Sequence, residues 1–278
     1  MKKIGLLSIL LLVGCKGTGS DTANNTTDFG PPPVTEGRWL RPTPDTDWQI
    51  QLSGPLNSQY QVALYDVDLF DTTAAQIQHL QASGRQVICY FSAGTWENWR
   101  PDASQFRTAD IGYALANWPN EYWLNINSPA VLALMQARLQ LAADKGCDGV
   151  DPDNSDGYSQ SSGFNIDDSD QLRFNRTLAN SAHQLGLSVG LKNDLQQVTE
   201  LVDYVDFAIN ESCFSLGECD LLAPFLRQQK PVFNIEYASQ YRNDSNARQR
   251  LCTTARQAGI KTLILPRQLN DSFRYSCQ

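Results

Sequence analysis

The chain has 278 residues, of which 41% are apolar and 10% aromatic, and its formal net charge is −8. This composition is typical of a folded globular protein and excludes a disordered, collagen-like or coiled-coil chain. The acidic balance argues against nucleic acid as a partner, because binding to a phosphate backbone requires a basic surface. The length fits either two average domains or one (β/α)8 barrel, which commonly needs about 250 residues.

The first 14 residues have the pattern of a bacterial export signal, in which two lysines precede a short apolar stretch. That stretch is too short to span a bilayer. Its last residues resemble a lipobox, which predicts a lipid anchor on Cys15 and a place in the bacterial cell envelope, at the outer membrane or cell surface. A secretory signal cleaved nearby is the alternative. Residues 15–37 are rich in Gly, Ser, Thr, Asn and Pro and predict a flexible tether, which leaves residues 38–278 as the folded domain.

Six further cysteines follow the predicted signal. Export to an oxidising compartment favours disulfides, and six cysteines allow 15 pairings. One of these pairings closes a small loop, fixes the C-terminus and leaves a third pair: Cys213 with Cys219, Cys252 with Cys277, and Cys89 with Cys147. A catalytic thiol is the weaker interpretation, because no histidine lies in a predicted loop where it could activate one.

Common catalytic signatures are absent from the sequence. It contains no GxSxG, GxGxxG, GxxxxGK[ST] or HExxH motif. His79 and His183 both fall in predicted helices, where a surface or packing role is expected. We therefore expect no cofactor and no metal site. A calcium loop at residues 151–156 is the alternative, although the acid spacing there does not fit an EF-hand.

From Trp48 onward, short β-branched and apolar runs alternate with helical patterns, which is typical of parallel βα architecture. Eight runs predict strands, at residues 48–52, 62–68, 86–92, 149–153, 188–192, 207–211, 231–237 and 262–266. Helices are predicted between them, including residues 74–83, 130–145, 169–185 and 246–258. Eight strands close a barrel, so the predicted fold is α/β, a single TIM barrel. The long loop after the third strand, residues 93–128, contains four tryptophans and could form a lid or a wall of a binding site.

Function in such a barrel lies at the C-terminal ends of the strands, and polar residues gather there. They are Asp66, Asp68, Asp71, Ser92, Glu97, Arg100, Asp151, Asp153, Asn154, Lys192, Asn193, Asn210, Glu211, Glu236 and Tyr237. A ring of carboxylates is costly to bury unless it binds or catalyses. Two carboxylates that face each other across a sugar are the usual groups of glycoside hydrolysis, and Asp153 and Glu211 end different strands. Asp151 lies two residues from Asp153, and such crowding raises the pKa of one carboxyl.

The sequence blocks at these positions resemble glycoside hydrolase family 114, the endo-α-1,4-polygalactosaminidases. The resemblance runs from about Trp48 to Tyr237. It rests on the blocks WQIQLSG, YDVDLFD, CYFSAGTWENWRPD, EYWLNI, GCDGVDPDNSDGY, GLKN and NESC, which occur in family order. It implies a (β/α)8 barrel in which Asp153 and Glu211 are the catalytic pair. Where the family often has Glu, this chain has Asp151.

The resemblance also implies a set of residues that line the substrate groove: Asp66, Asp68, Tyr90, Glu97, Arg100, Asn154, Lys192, Asn193 and Glu236. The strand-end pattern adds Asp151 and Tyr237 to the expected substrate-binding set.

The expected activity is endo-hydrolysis of α-1,4-linked galactosamine in partly deacetylated exopolysaccharide, by a monomeric enzyme. An acidic mouth would attract this ammonium sugar, with an attraction that salt screens. Asp153 is expected to be the nucleophile and Glu211 the acid/base of a retaining reaction. The alternatives are an exopolysaccharide-binding surface lipoprotein without turnover, and a barrel glycosidase for another polysaccharide, such as a neutral glucan or chitosan.

Overall fold

A computed structural model describes residues 30–278 of the chain. The predicted signal peptide, Cys15 and the first part of the predicted tether lie outside the described residues. Within residues 30–278 no helix is both long and apolar enough to cross a membrane.

The described residues form twelve strands. They are β1 (Trp48–Gln51), β2 (Leu64–Asp68), β3 (Gln86–Ser92), β4 (Thr95–Glu97), β5 (Ile111–Ala114), β6 (Glu121–Leu124), β7 (Gly149–Asp153), β8 (Ser188–Lys192), β9 (Phe207–Glu211), β10 (Val232–Glu236), β11 (Lys261–Ile264) and β12 (Tyr275–Ser276). The main sheet has the order β1-β2-β3-β7-β8-β9-β10-β11-β12, and β4, β6 and β5 form a separate small sheet.

Eight α-helices and five short 3-10 turns connect the strands in the described part of the chain. The α-helices are α1 (Ala74–Ala82), α2 (Pro129–Lys145), α3 (Asp168–Gln184), α4 (Val198–Leu201), α5 (Cys213–Leu216), α6 (Ala223–Arg227), α7 (Ser239–Asn243) and α8 (Ser245–Ala258). The 3-10 turns are Ala103–Gln105, Thr108–Asp110, Gly157–Ser159, Leu195–Gln197 and Cys219–Leu222.

The first eight strands of the main sheet are parallel neighbours, and the sheet curls into a barrel. Its interior is filled by a cluster of buried apolar side chains that includes Trp48, Phe207 and Phe233. The first and last parallel strands are joined at the seam by the Trp48 indole, whose Nε1 donates to the Lys261 carbonyl at 3.1 Å. A second core, between the sheet and the surrounding helices, covers the outer face of the strands.

The sequence-based boundaries agree with these elements to within two residues at each predicted strand and helix end. Local signals explain this agreement. Thr73 and Gln76 form a capping box at the start of α1, and Asp167 and Asp170 form one at the start of α3. Gly146 ends α2 in the left-handed conformation that favours glycine.

The loop after β3 is structured as the small antiparallel sheet, which stands beside the mouth of the barrel. Arg138 on α2 fixes its base. The guanidinium Nε donates to Asp102 Oδ2 at 2.8 Å, and Nη1 donates to the Ser92 carbonyl at 2.6 Å. Because the Arg138 side chain is only 1% exposed, this ion pair ties the loop to the outer core.

Residues at the end of the predicted tether contact the barrel. The Tyr204 hydroxyl donates to the Pro31 carbonyl at 2.9 Å, and the Asn180 side chain bonds the Pro32 carbonyl and the Val34 amide, each at 2.8 Å. Part of the segment predicted to be a tether, including Pro31, Pro32 and Val34, therefore packs on the barrel. His183 has the packing role expected from its helix, since its Nε2 lies 2.8 Å from Asp206 Oδ2.

Three disulfides join the cysteines in the pairing described above: Cys89–Cys147, Cys213–Cys219 and Cys252–Cys277. The first pair spans 58 residues and connects β3 to the segment before β7, whereas the second spans 6 residues. In the chain-entropy description a longer closed loop restricts the unfolded state more strongly.

We expect the double substitution Cys89→Ala and Cys147→Ala to lower the free energy of unfolding by about 4 kcal/mol, against about 2 kcal/mol for Cys213→Ala with Cys219→Ala. Guanidinium unfolding curves of the two variants and the parent protein measure both losses. Equal losses, or a larger loss for the short loop, would contradict the expectation.

Candidate active site

Three charged side chains converge where three neighbouring strands end at the barrel mouth. Asp153 ends β7, Lys192 ends β8 and Glu211 ends β9. The Lys192 ammonium lies 3.1 Å from Asp153 Oδ2 and 3.9 Å from Glu211 Oε2. The Lys192 side chain is 2% exposed, while those of Asp153 and Glu211 are 17% and 31% exposed. The lysine therefore lies beneath two carboxylates that face the solvent-filled mouth.

Two hydrogen bonds hold the Glu211 carboxylate in place, in addition to the nearby Lys192 ammonium. Asn193 Nδ2 donates to Oε2 at 3.0 Å, and the Tyr237 hydroxyl donates to Oε1 at 2.5 Å. The Asn193 side-chain carbonyl also accepts from the Glu211 amide at 3.0 Å. Burial alone would raise the pKa of Glu211, but the Lys192 ammonium and these hydrogen bonds hold it below its ordinary value. Glu211 is accordingly a carboxylate in the unliganded protein.

Asp153 is held from three directions. The Tyr90 hydroxyl donates to Oδ2 at 3.0 Å, the Asn154 amide donates to Oδ1 at 2.7 Å, and Lys192 supplies the ion pair. Burial and the charge of Asp153 raise the pKa of Tyr90 well above its ordinary value, so this phenol stays a donor. The Asp153 carboxylate thus has a fixed orientation toward the mouth.

The buried Lys192 ammonium keeps its charge because carboxylates surround it. Burial alone would lower its pKa, but Asp153, Glu211 and Asp151 together raise it above its ordinary value. Asp151 Oδ2 lies 4.0 Å from the ammonium. The cluster therefore carries a permanent positive charge at its centre.

Asp66 and Asp151 do not line the groove as expected; both are fully buried beneath its floor. Their carboxyl groups lie against each other, and burial raises the pKa of both. The charge of Asp151 raises the pKa of Asp66 further, so this pair retains a proton. The crowding expected for Asp151 with Asp153 is present, since the charge of Asp153 raises the pKa of Asp151, and Asp66 lies against Asp151 as a further carboxyl group.

Glu236 is likewise fully buried and does not reach the groove. Its Oε1 accepts from the Phe214 amide at 3.0 Å, and its Oε2 accepts from the Ser215 hydroxyl at 2.5 Å. Glu236 therefore fixes the start of α5 directly after Glu211, which is a structural role rather than the expected contact with substrate.

Asp68, Glu97 and Arg100 form one wall of the groove. The Arg100 guanidinium donates to both Glu97 oxygens, at 2.8 and 2.7 Å, and to Asp68 Oδ1 at 2.9 Å. The two carboxylates raise the pKa of Arg100 above its ordinary value, although burial opposes them. This ion-paired network joins the small sheet to the end of β2.

Several groove residues were not predicted, and Glu121 is the most buried carboxylate among them. It begins β6, its Oε1 accepts from Thr95 Oγ1, and Asn154 Nδ2 donates to the same oxygen at 3.2 Å. Burial raises the pKa of Glu121 to about 7. The EYWLNI block contains this residue, but only the pairing of β4 with β6 brings it beside Asn154.

The groove itself is an open cavity of about 490 Å³ that includes Asp153 and Glu211 in its lining. Trp99 and Trp118 stand on its rim with 53% and 46% of their surface exposed. Two smaller cavities, of about 450 and 420 Å³, continue it past Tyr237 and Arg267. Exposed indoles beside a long polar groove are suited to stacking on sugar rings.

No cluster of three or more His, Cys, Asp or Glu within residues 30–278 is arranged to hold a metal ion. The carboxylates of the mouth have the Lys192 ammonium as their cation instead.

The site is an acidic groove at the C-terminal mouth of a (β/α)8 barrel, and two solvent-facing carboxylates lie on the strands on either side of β8. This arrangement is that of a glycoside hydrolase. Family comparison gives the same class. The chain belongs to glycoside hydrolase family GH114, whose model matches residues 31–278. The match is longer than the sequence blocks indicated, and it includes N-terminal residues that contact the barrel, such as Pro31.

Two solved structures are similar to the chain. Ega3 of Aspergillus fumigatus, crystallised in complex with galactosamine, has a TM-score of 0.82 and 40% sequence identity, over 88% of this chain and 99% of that chain. The glycoside hydrolase domain of PelA from Pseudomonas aeruginosa has a TM-score of 0.65 and 16% identity, over 83% of this chain and 98% of that chain. The likeness to PelA concerns the fold alone. A comparison with curated protein sequences gave no match.

Gly94 sets the position of Asp153, because a Cβ atom at residue 94 would lie 1.8 Å from the Asn154 carbonyl oxygen. We expect Gly94→Ala to displace Asn154 and Asp153 and to lower kcat about 100-fold, the size of effect that follows a misplacement of about 1 Å. Gly157→Ala is the matched control, since its Cβ would meet Trp123 at an ordinary 3.5 Å. Reducing-sugar release and thermal unfolding of both variants test this; equal kcat values for the two variants would contradict it.

Proposed function

We propose that the protein is an endo-acting hydrolase of α-1,4-linked galactosamine in partly deacetylated polysaccharide, with Asp153 as nucleophile and Glu211 as acid/base. The observation that carries the proposal is the placement of these two carboxylates, which face one groove from either side of Lys192. The similarity to Ega3, which was crystallised with galactosamine, supports an amino sugar as the substrate.

In the proposed reaction, the Asp153 carboxylate attacks the anomeric carbon while Glu211 donates its proton to the departing glycosidic oxygen. A glycosyl ester of Asp153 forms and the C–O bond to the leaving sugar breaks. Glu211 then takes a proton from water, whose oxygen displaces Asp153 and restores both groups. Retention at the anomeric carbon results from these two displacements.

The spacing of the two carboxylates supports retention. Asp153 Oδ2 and Glu211 Oε2 are 3.1 and 3.9 Å from the same ammonium, so their separation cannot exceed the sum of these distances. That limit excludes most of the range of about 6.5–9.5 Å found in inverting enzymes and includes the 5–5.5 Å of retaining ones.

The charge and shape of the groove support a cationic polymer that binds along its length. The groove includes Asp71 and Asp156, neither of which has an ion-pair partner among the described residues. Such carboxylates attract ammonium groups. The exposed indoles of Trp99 and Trp118 provide stacking surfaces for sugar rings along the groove.

Reducing-end release from deacetylated α-1,4-galactosaminan is expected, with no release from polygalacturonate and less from chitosan, whose linkage is different. Asp153→Asn and Glu211→Gln should each lower this release by at least about 1,000-fold, within the range for loss of a nucleophile or proton donor. The soluble fragment that begins at residue 30 retains all described contacts and is suitable for the assay.

A galactosaminide with a 2,4-dinitrophenyl leaving group separates the two roles. That leaving group departs without a proton, so Glu211→Gln should form the glycosyl-enzyme on it normally, whereas Asp153→Asn should remain inactive. Near-normal polymer cleavage by either variant would remove that residue from the proposed pair.

The lowered pKa of Glu211 predicts the pH profile of kcat/KM. Proton donation needs protonated Glu211, whose fraction falls about tenfold per pH unit above its pKa, so kcat/KM should fall from mildly acidic to neutral pH. Lys192→Met removes the ammonium that lowers this pKa and should move the alkaline limb to higher pH, whatever its effect on the maximal rate. An alkaline limb that stays in place or moves to lower pH in Lys192→Met would contradict the assignment.

A further inference from the structure

One cavity beside the catalytic groove differs from it in charge. This cavity, of about 420 Å³, is lined by residues that include Ser212, Leu216, Tyr237, Ala238, Arg242 and Arg267, and no carboxylate is among its lining residues. We call it the arginine pocket. Tyr237 and Arg267 also line the catalytic groove, so the two spaces are continuous.

The two arginines of the pocket are free to meet a ligand. No carboxylate in residues 30–278 forms an ion pair with Arg242 or Arg267. Arg267 is exposed, and its guanidinium lies 5.8 Å from the centre of the Tyr237 ring. The hydroxyl of the same tyrosine donates to Glu211 at 2.5 Å. A sugar in the arginine pocket therefore lies close to the proposed acid/base.

The two arginines of the pocket are unfavourable for a substrate in which every sugar unit carries an ammonium group. In the catalytic groove the cations Arg100 and Lys192 are already paired with carboxylates, and apart from Arg267 itself the unpaired charges there, such as Asp71 and Asp156, are negative. A polymer that runs from the groove into the arginine pocket passes from an acidic surface to a basic one. An ammonium group in the pocket would be repelled by two guanidinium groups.

We propose that the arginine pocket is a subsite for an N-acetylated galactosamine unit, so that the enzyme selects bonds at a fixed distance from an acetylated unit. This inference rests on the proposed function. An acetamide is uncharged, and its carbonyl oxygen accepts hydrogen bonds from a guanidinium. Its methyl group matches the apolar surface of Ala238 and of Leu216, which is 67% exposed. The remaining units of the chain keep their ammonium groups over the acidic groove.

A uronic acid would also satisfy the two arginines, because a carboxylate binds a guanidinium strongly. A polymer of such units would meet the unpaired carboxylates of the catalytic groove, including Asp71 and Asp156. The mixed charge of the whole binding surface therefore favours a chain with ammonium and neutral units over a polyanion.

The test uses one α-1,4-galactosaminan, randomly N-acetylated to about half, and sequences the early products by mass spectrometry. We expect one position near the newly formed ends to carry N-acetylgalactosamine about fivefold more often than N-free galactosamine, since the wrong unit meets a like charge. Arg242→Gln combined with Arg267→Gln should return this ratio toward that of the polymer. Arg227→Gln, an exposed arginine on α6 outside the pocket, is the matched control and should keep the wild-type ratio.

The outcomes are distinguishable. No cleavage of this polymer or of the deacetylated one would overturn the proposed function and the inference together. Cleavage with random acetylation at every position near the new ends would overturn the inference alone, as would an enrichment that persists in the double arginine variant. Cleavage of polygalacturonate would show that the pocket takes anionic units instead.

Discussion

The catalytic mouth depends on one buried charge, the ammonium of Lys192. A lysine with a side chain 2% exposed is strongly disfavoured unless carboxylates compensate for its lost hydration. Asp153, Glu211 and Asp151 provide that compensation, at 3.1, 3.9 and 4.0 Å. The dependence is mutual, because several carboxylates this close together would otherwise bind protons. Replacing the lysine would therefore favour protonation of the proposed acid/base, Glu211, whose pKa the ammonium lowers.

The barrel produces this arrangement through register. Lys192 lies on β8 between β7 and β9, so its side chain can reach carboxylates on both neighbours. The layer below contains the Asp66 and Asp151 pair, which retains a proton and so contributes at most one negative charge to the cluster. Above it, the small sheet contributes Glu121, which contacts Asn154 and thereby the loop that carries Asp153. Each layer of the mouth thus influences the charge or orientation of the same two carboxylates.

The sequence was sufficient for the strands, helices and strand-end carboxylates, because each has a local signal, whereas it left 15 cysteine pairings possible. It was not sufficient for depth within the barrel. Asp66 and Asp68 point to the same side of β2, yet only Asp68 reaches the groove wall. Residues two apart on a barrel strand lie in different layers of the barrel interior, and the sequence does not say which layer opens to the groove. Glu121 and Arg267 were missed for another reason. Their importance arises from contacts between distant segments, which neither the EYWLNI block around Glu121 nor the sequence around Arg267 reveals.

On the proposed roles, the Lys192 charge has opposite effects on the two halves of the reaction. The first displacement needs a proton on Glu211, and the ammonium disfavours that proton. Once Asp153 becomes a neutral ester, Lys192 has lost its nearest anion, and its attraction for the Glu211 carboxylate strengthens. That carboxylate is the form that removes a proton from water in the second displacement. The ammonium therefore favours hydrolysis of the intermediate at the expense of its formation. An acidic medium suits both steps, because it supplies the proton on Glu211 for the first while the ammonium keeps the carboxylate for the second.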